Sequence, residues 1–140
     1  MTYFECKVKY DRMTDAGVLK PVTETYAMDA MSFTEAEARV TELVSPQANG
    51  EFAVVAEKIA QYKDYVDVSE GDRYYMVKFN IVTIDERTAV EKKTPSFVLF
   101  RDSDIDHVKD TAHFYMKSTA MDYEIAAIKE TKIVDVFIGG

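Results

Sequence analysis

The chain has 140 residues, of which 47% are apolar and 30% charged, and 25 acidic against 17 basic residues give a net charge of −8. This composition excludes long disordered, collagen-like and low-complexity classes. A single cysteine, Cys6, excludes an intramolecular disulfide and a cysteine-based zinc site. No apolar run approaches the roughly 18 residues of a membrane span, and the first residues lack the pattern of a signal peptide. We therefore expect a cytoplasmic globular protein with no membrane role.

The sequence indicates an internal duplication. Tyr3–Val8 aligns with Tyr74–Phe79, and Glu51–Lys58 aligns with Asp122–Lys129, in both cases at an offset of 71 positions. Periodic self-similarity of this kind is typical of repeated structural units.

A third segment between these anchors has the same offset, because Tyr26–Met28 aligns with Phe97–Leu99. Three segments that share one offset, without net insertion, favour two repeats over residues 1–70 and 71–140. Two ordinary α+β modules could mimic part of the pattern. We expect the repeats to form one compact unit.

The first half predicts two strands and a turn. Apolar and polar residues alternate from Tyr3 to Tyr10, which is the period of a half-buried strand. Gly17 lies in turn-forming sequence, and Val22–Met28 is rich in residues that favour strands. We expect Pro21 at the start of this second strand, because proline has no N–H for the sheet.

A helix and a third strand follow. Thr34 and Glu37 have the spacing of a capping box at a helix N-terminus. Pro46 ends the helix, and the third strand runs from Phe52 to about Tyr62.

The second half repeats this order. Its predicted elements are a strand over Tyr74–Ile84, a polar connection over 85–93, a strand over Ser96–Phe100, a helix N-capped by Ser103 that ends near Lys117, and one or two strands within Met121–Phe137.

These elements predict an α+β fold built by tandem duplication of a ββαβ unit, with mainly antiparallel sheets and two helices. The first strand of each half lies in the middle of its sheet, with antiparallel neighbours and one helix on one face. Val66–Asp72 is the expected linker. Because a half of about 70 residues is marginal alone, we expect the halves to pack as a pseudo-dimer.

Three stretches of sequence carry a resemblance to a known family: TYFECKVKYDR, PVTETYAMDAMSFTEAEARV and GDRYYMVKF. Together they resemble a small family, a domain of unknown function, from gut Bacteroidetes bacteria and their phages. The resemblance implies a bacterial or phage setting and brings no reaction or site residues.

The best candidate for a metal site does not fit. Asp102, Asp104 and Asp106 have the D-x-D-x-D spacing that opens a calcium loop, but His107 and His113 stand where that loop needs Gly and Glu. The histidines are six positions apart, whereas a helical zinc pair needs four. We interpret the segment as an acidic helix N-terminus and predict no metal.

Catalysis is equally poorly supported. Cys6 falls on the predicted core face of a strand, and the chain has no nucleophile elbow, P-loop or dinucleotide fingerprint. We predict no enzyme activity, no catalytic residues and no cofactor.

The most informative surface pattern is on the predicted sheets. Tyr3, Lys7 and Lys9 should project from one sheet face, as should Tyr74 and Lys78 in the second repeat. Rings that stack on unpaired bases, with ammonium groups on phosphates, bind single-stranded nucleic acid. The net charge of −8 is an objection, and the alternative is a solvated strand face.

A second function class is protein–protein interaction through an acidic surface, including self-assembly. Seventeen aromatic residues and seven methionines could supply contact surfaces. The sequence therefore predicts a non-catalytic binding protein, with single-stranded nucleic acid as the most concrete ligand and a protein partner or homo-oligomer as the alternative.

Overall fold

The computed structural model of the chain describes residues 2–139 and confirms the α+β fold with mostly antiparallel strands. Its elements are β1 (Tyr3–Met13), β2 (Leu19–Asp29), α1 (Phe33–Val44), β3 (Phe52–Ile59), β4 (Tyr65–Val66), β5 (Arg73–Ile84), β6 (Glu91–Asp102), α2 (Ile105–Lys117), β7 (Tyr123–Glu130) and β8 (Ile133–Phe137).

The chain divides into two compact units. Unit 1 consists of Met1–Ala60 with Lys132–Gly140, and unit 2 consists of Gln61–Thr131. The expected repeat boundary after residue 70 therefore falls inside unit 2. The expectation that both repeats form one compact pseudo-dimeric body stays a prediction.

Unit 1 has a four-stranded sheet in the order β3-β1-β2-β8, with α1 on one face. Alternation along β1 sends Phe4, Cys6 and Val8 to this face, where Val40 and Val44 of α1 pack against them. Full burial of one such aliphatic or aromatic side chain is worth about 1.5–3 kcal/mol.

Unit 2 repeats this architecture in the order β4-β6-β5-β7, with α2 on one face. Val77 and Phe79 of β5 occupy the places of Cys6 and Val8, and Ala112 of α2 packs against them. The two-sheet arrangement fits a repeated unit.

The first strand of each half lies in the middle of its sheet with antiparallel neighbours, as expected, but each sheet also has one parallel edge strand. β4, which overlaps the expected linker only at Val66, pairs with β6 at Leu99 and Phe100. β8 pairs with β2 in the same way, with Val136 opposite Ala27. Each repeat therefore contributes its last strand to the sheet of the other repeat, which explains the unit boundaries.

The offset of 71 does not hold for the second strand and the helix. The registers place Tyr3 opposite Asp29 and Tyr74 opposite Arg101, so these strand positions correspond at an offset of 72. The extra residue lies in the second hairpin turn. An alignment without gaps missed it because a later one-residue deletion restores the original offset in β7.

The helix caps also differ from those predicted. Ser32, not Thr34, caps α1, and its hydroxyl accepts a hydrogen bond from the Glu35 amide at 3.1 Å. Asp104, not Ser103, caps α2 and accepts from the His107 amide at 2.8 Å. Sequence spacing leaves several cap candidates, and packing of the helix on the sheet selects among them.

Both hairpins are longer than predicted. β2 already begins at Leu19, and residues 91–93, expected in a polar connection, are paired within β6. Pro21 and Pro95 therefore lie inside strands, at positions where a sheet edge tolerates proline.

Candidate functional site

The tyrosines of the predicted nucleic-acid site are buried. Tyr3 and Tyr74 lie on the helix-free face, meaning the face of each sheet that does not contact its helix, as the alternation predicts. Their exposed fractions are only 8% and 6%. These rings therefore present little surface on which a base could stack.

The lysines of the predicted site differ in exposure. Lys7 and Lys9 are exposed on the helix-free face of unit 1, and Lys78 is half-buried on that of unit 2. None of the three forms an ion pair with any residue in the described range 2–139. Their charges are therefore available to an anionic ligand.

Phe97 is an aromatic residue that the sequence reasoning did not place at a site. It lies directly opposite Lys78 in the β5–β6 pair and is half-buried. Only the strand register brings this ring beside the lysine, because cross-strand neighbours on one face have close Cβ atoms.

Five of the sixteen exposed large apolar side chains in the described part of the chain lie at the free ends of the two long hairpins. We call these the hairpin ends: Met13, Val18 and Leu19 in unit 1, and Ile84 and Val90 in unit 2. Their exposed fractions lie between 48% and 64%. Met13 and Leu19 are cross-strand partners.

A groove with a volume of about 410 Å³ lies in unit 2 beside the edge of β6. It combines apolar groups with hydroxyl, amide and ammonium groups, and its lining consists of Gln61, Lys63, Ile81, Thr94, Pro95, Ser96 and Phe97.

The equivalent place in unit 1 holds a hydrogen-bonded network instead. The Glu24 carboxylate accepts from the Tyr10 hydroxyl at 2.5 Å, from the Tyr26 hydroxyl at 2.9 Å and from the Arg12 guanidinium at 3.0 Å. The pKa values of Tyr10 and Tyr26 are raised, mainly by burial and secondly by the Glu24 carboxylate. Both phenols therefore stay neutral donors, which is a structural role.

A second polar cluster lies where β6 meets α2. The fully buried Asp102 carboxylate accepts from the Ser103 amide at 2.8 Å and from the Thr111 hydroxyl at 3.2 Å. Its Oδ1 also lies 2.6 Å from Nδ1 of His107, whose side chain is half-exposed. Sequence reasoning had considered Asp102 and His107 as metal ligands and had interpreted the segment as an acidic helix N-terminus, without predicting this cluster.

The carboxylates of that candidate serve the fold. Asp102 is saturated by protein donors, Asp104 caps α2, and His113 pairs through Nδ1 with the Tyr123 hydroxyl at 2.7 Å. Within residues 2–139, no three His, Cys, Asp or Glu side chains lie together as metal ligands would.

Cys6 lies in the core of unit 1, as expected. Burial, with smaller contributions from Glu57 and Glu37, raises the pKa of its thiol to about 11. A thiol with this pKa is almost entirely protonated at neutral pH and is a poor nucleophile.

Comparison with known proteins gives a family and nothing further. Residues 2–139 match the sequence profile described as Domain of unknown function (DUF4494). The chain belongs to the DUF4494 family. This match confirms that the three stretches resemble a family described as a domain of unknown function. No curated protein and no solved structure matches the chain. In the described part of this DUF4494 chain, neither helix has the length and apolarity to cross a membrane.

Proposed function

We propose that this DUF4494 chain is a non-catalytic interaction protein that associates with a second copy of itself through its hairpin ends. The observation that carries the proposal is the exposure of large apolar side chains at corresponding positions of both repeats. Met13 and Ile84 are equivalent in the two hairpins, as are Val18 and Val90.

Burial of these side chains is the driving force. Five apolar residues that are about half-exposed offer surface whose removal from water is worth about 25 cal/mol per Å². An identical copy presents the same surface, so a symmetric contact needs no separate complementary partner. Because these side chains are already exposed, the contact needs no rearrangement of either core.

The net charge sets the salt dependence of such an association. Two copies that each carry a charge of −8 repel each other at low ionic strength. Screening weakens this repulsion while apolar contact is retained, so self-association should strengthen as salt is added.

Sedimentation velocity at low and high salt, over about a hundredfold range of concentration, tests the proposal. We expect dimers or larger species that increase with concentration and with salt. Leu19→Ser combined with Ile84→Ser should abolish them. The control Phe114→Ser removes an apolar residue that is 77% exposed on α2 and should leave them unchanged. A strict monomer under all conditions would refute self-assembly.

Single-stranded nucleic-acid binding is the second candidate. Its support is the unpaired charge of Lys7, Lys9 and Lys78, with Phe97 in place of the buried tyrosines as a stacking ring. Fluorescence anisotropy with labelled oligonucleotides should then show binding that weakens with salt, which is the opposite sign to self-association.

Paired variants sharpen the nucleic-acid test. Lys7→Ala with Lys78→Ala should weaken binding further, whereas the control Lys109→Ala, an exposed lysine of α2, should have little effect. Absence of binding at low salt would remove this candidate. A cytoplasmic location and an origin in Bacteroidetes or their phages belong to the same proposal and are supported by the resemblance of the three stretches.

A further inference from the structure

We propose that the groove beside β6 binds an extended peptide segment that carries an acidic side chain, by strand addition to the open edge of β6. This site is separate from the hairpin ends and does not depend on self-association.

The edge of β6 is covered over only part of its length. β4 pairs with Leu99 and Phe100, and two further backbone bonds, each of 3.0 Å, run from the Leu99 amide to the Asp64 carbonyl and from the Lys63 amide to the Phe97 carbonyl. The chain then turns away at Gln61, where unit 2 begins. Residues 91–96 consequently have a partner strand on one side only, which is β5.

The uncovered edge offers backbone groups to a ligand. In a strand the N–H and C=O of one residue point to the same side, so the Phe97 amide faces the edge together with its carbonyl. This amide has no acceptor among residues 2–139. Pro95 faces the same edge with a free carbonyl and no N–H. A peptide strand in line with β4 would therefore meet one donor and one acceptor here.

Comparison of the repeats explains the groove at this edge, because the equivalent place in unit 1 holds the hydrogen-bonded network around Glu24. Ile81 stands where unit 1 has Tyr10, and Ser96 stands where it has Glu24. The network of large side chains that fills unit 1 is thus replaced by small ones. The resulting volume of about 410 Å³ is within the range of about 300–1,000 Å³ that ligand sites have.

Charge selects an acidic segment. Lys63 in the groove and Lys92 on the exposed edge strand form no ion pair with a described residue. Ile81 and Phe97 supply apolar surface beside them. Ile81 and Lys92 share one face of the sheet, and Phe97 lies on the other face. A peptide that carries both apolar and acidic side chains therefore fits this edge.

Selection from a phage-displayed library of random decapeptides, with the whole protein as bait, tests the proposal. We expect enriched peptides that combine apolar and acidic residues, and synthetic copies should bind in fluorescence anisotropy. Failure to enrich peptides above the bare resin would overturn the proposal.

Variants locate the binding to the groove. Lys63→Glu with Lys92→Glu should weaken binding of the selected peptide about tenfold, since exposed ion pairs are individually weak. Thr94→Trp should fill the groove and abolish binding. The controls Lys20→Glu and Thr23→Trp alter exposed residues of β2 in unit 1, outside the groove of unit 2, and should bind as wild type.

Circular dichroism of each variant excludes loss of folding as the cause. Peptides that bind the Thr94→Trp and double-glutamate variants as tightly as they bind wild type would show that the groove is not the site.

Discussion

Gly71 lies directly against the backbone of Asp102. A Cβ atom on Gly71 would stand 2.2 Å from the carbonyl carbon and oxygen of Asp102 and 2.6 Å from the Ser103 nitrogen. The Gly71 carbonyl also accepts a hydrogen bond from Arg101 Nε at 2.7 Å. This close approach holds the segment before β5 against the junction of β6 and α2, beside the buried carboxylate.

Gly71→Ala should therefore destabilise the protein strongly. The methyl group meets backbone atoms that cannot rotate away, so we expect a loss of about 3 kcal/mol or more in the free energy of unfolding. The control Gly17→Ala has an unfavourable φ of +78° but no atom within 4 Å, so it should cost only about 1–2 kcal/mol. Equal losses in urea unfolding would contradict this account.

Asp102 and His107 should be energetically coupled. Asp102→Asn and His107→Gln each disrupt the 2.6 Å contact, and a double-mutant cycle in urea unfolding should give a coupling of about 0.5–3 kcal/mol. Asp102→Asn alone should be the more damaging change, because that carboxylate is fully buried and serves several donors. The pair Asp102→Asn with His113→Gln should be additive, and coupling of the same size there would argue against a specific contact.

Glu24→Ala should cost much more than Ser96→Ala, its equivalent in unit 2. Removal of the Glu24 carboxylate leaves Tyr10, Tyr26 and Arg12 without their shared acceptor, which we expect to cost about 2–4 kcal/mol. Ser96 forms no such network, so its substitution should change stability by less than about 1 kcal/mol. Thermal unfolding of both variants tests this expectation. Similar decreases in Tm would show that the two positions contribute equally to stability.

Cys6 should make stability depend on alkaline pH. An ordinary thiol has a pKa of 9.0, and the pKa of about 11 in the folded chain means that the unfolded state loses its proton first. This contribution to stability is present below pH 9.0 and is lost as the pH rises towards 11.

Tyrosines also titrate at alkaline pH, but they are present in both wild type and Cys6→Ala. Comparison of the two proteins therefore isolates the contribution of the thiol. The difference in unfolding free energy between wild type and Cys6→Ala should shrink by about 1 kcal/mol between pH 8 and pH 10. A difference that stays constant over this interval would show that the thiol has an ordinary pKa in the folded chain.

Local patterns in the sequence determined which side chains of a single strand or helix face the core. Alternation along β1 assigned Cys6 to the core face, where it is fully buried, and assigned Lys7 and Lys9 to the opposite face. These assignments depend only on the geometry of one strand or helix, which neighbouring residues fix. The repeat was visible for the same reason, because both halves must bury the same faces.

The tertiary structure decided how strands from distant parts of the chain combine. Alternation placed Tyr3 and Tyr74 on the helix-free face but could not show that they are buried there. The parallel pairing of β4 and β8, the register that puts Phe97 beside Lys78, and the contact of Gly71 with Asp102 all join residues far apart in sequence. Such contacts depend on long-range packing, for which a single sequence has no periodic signal.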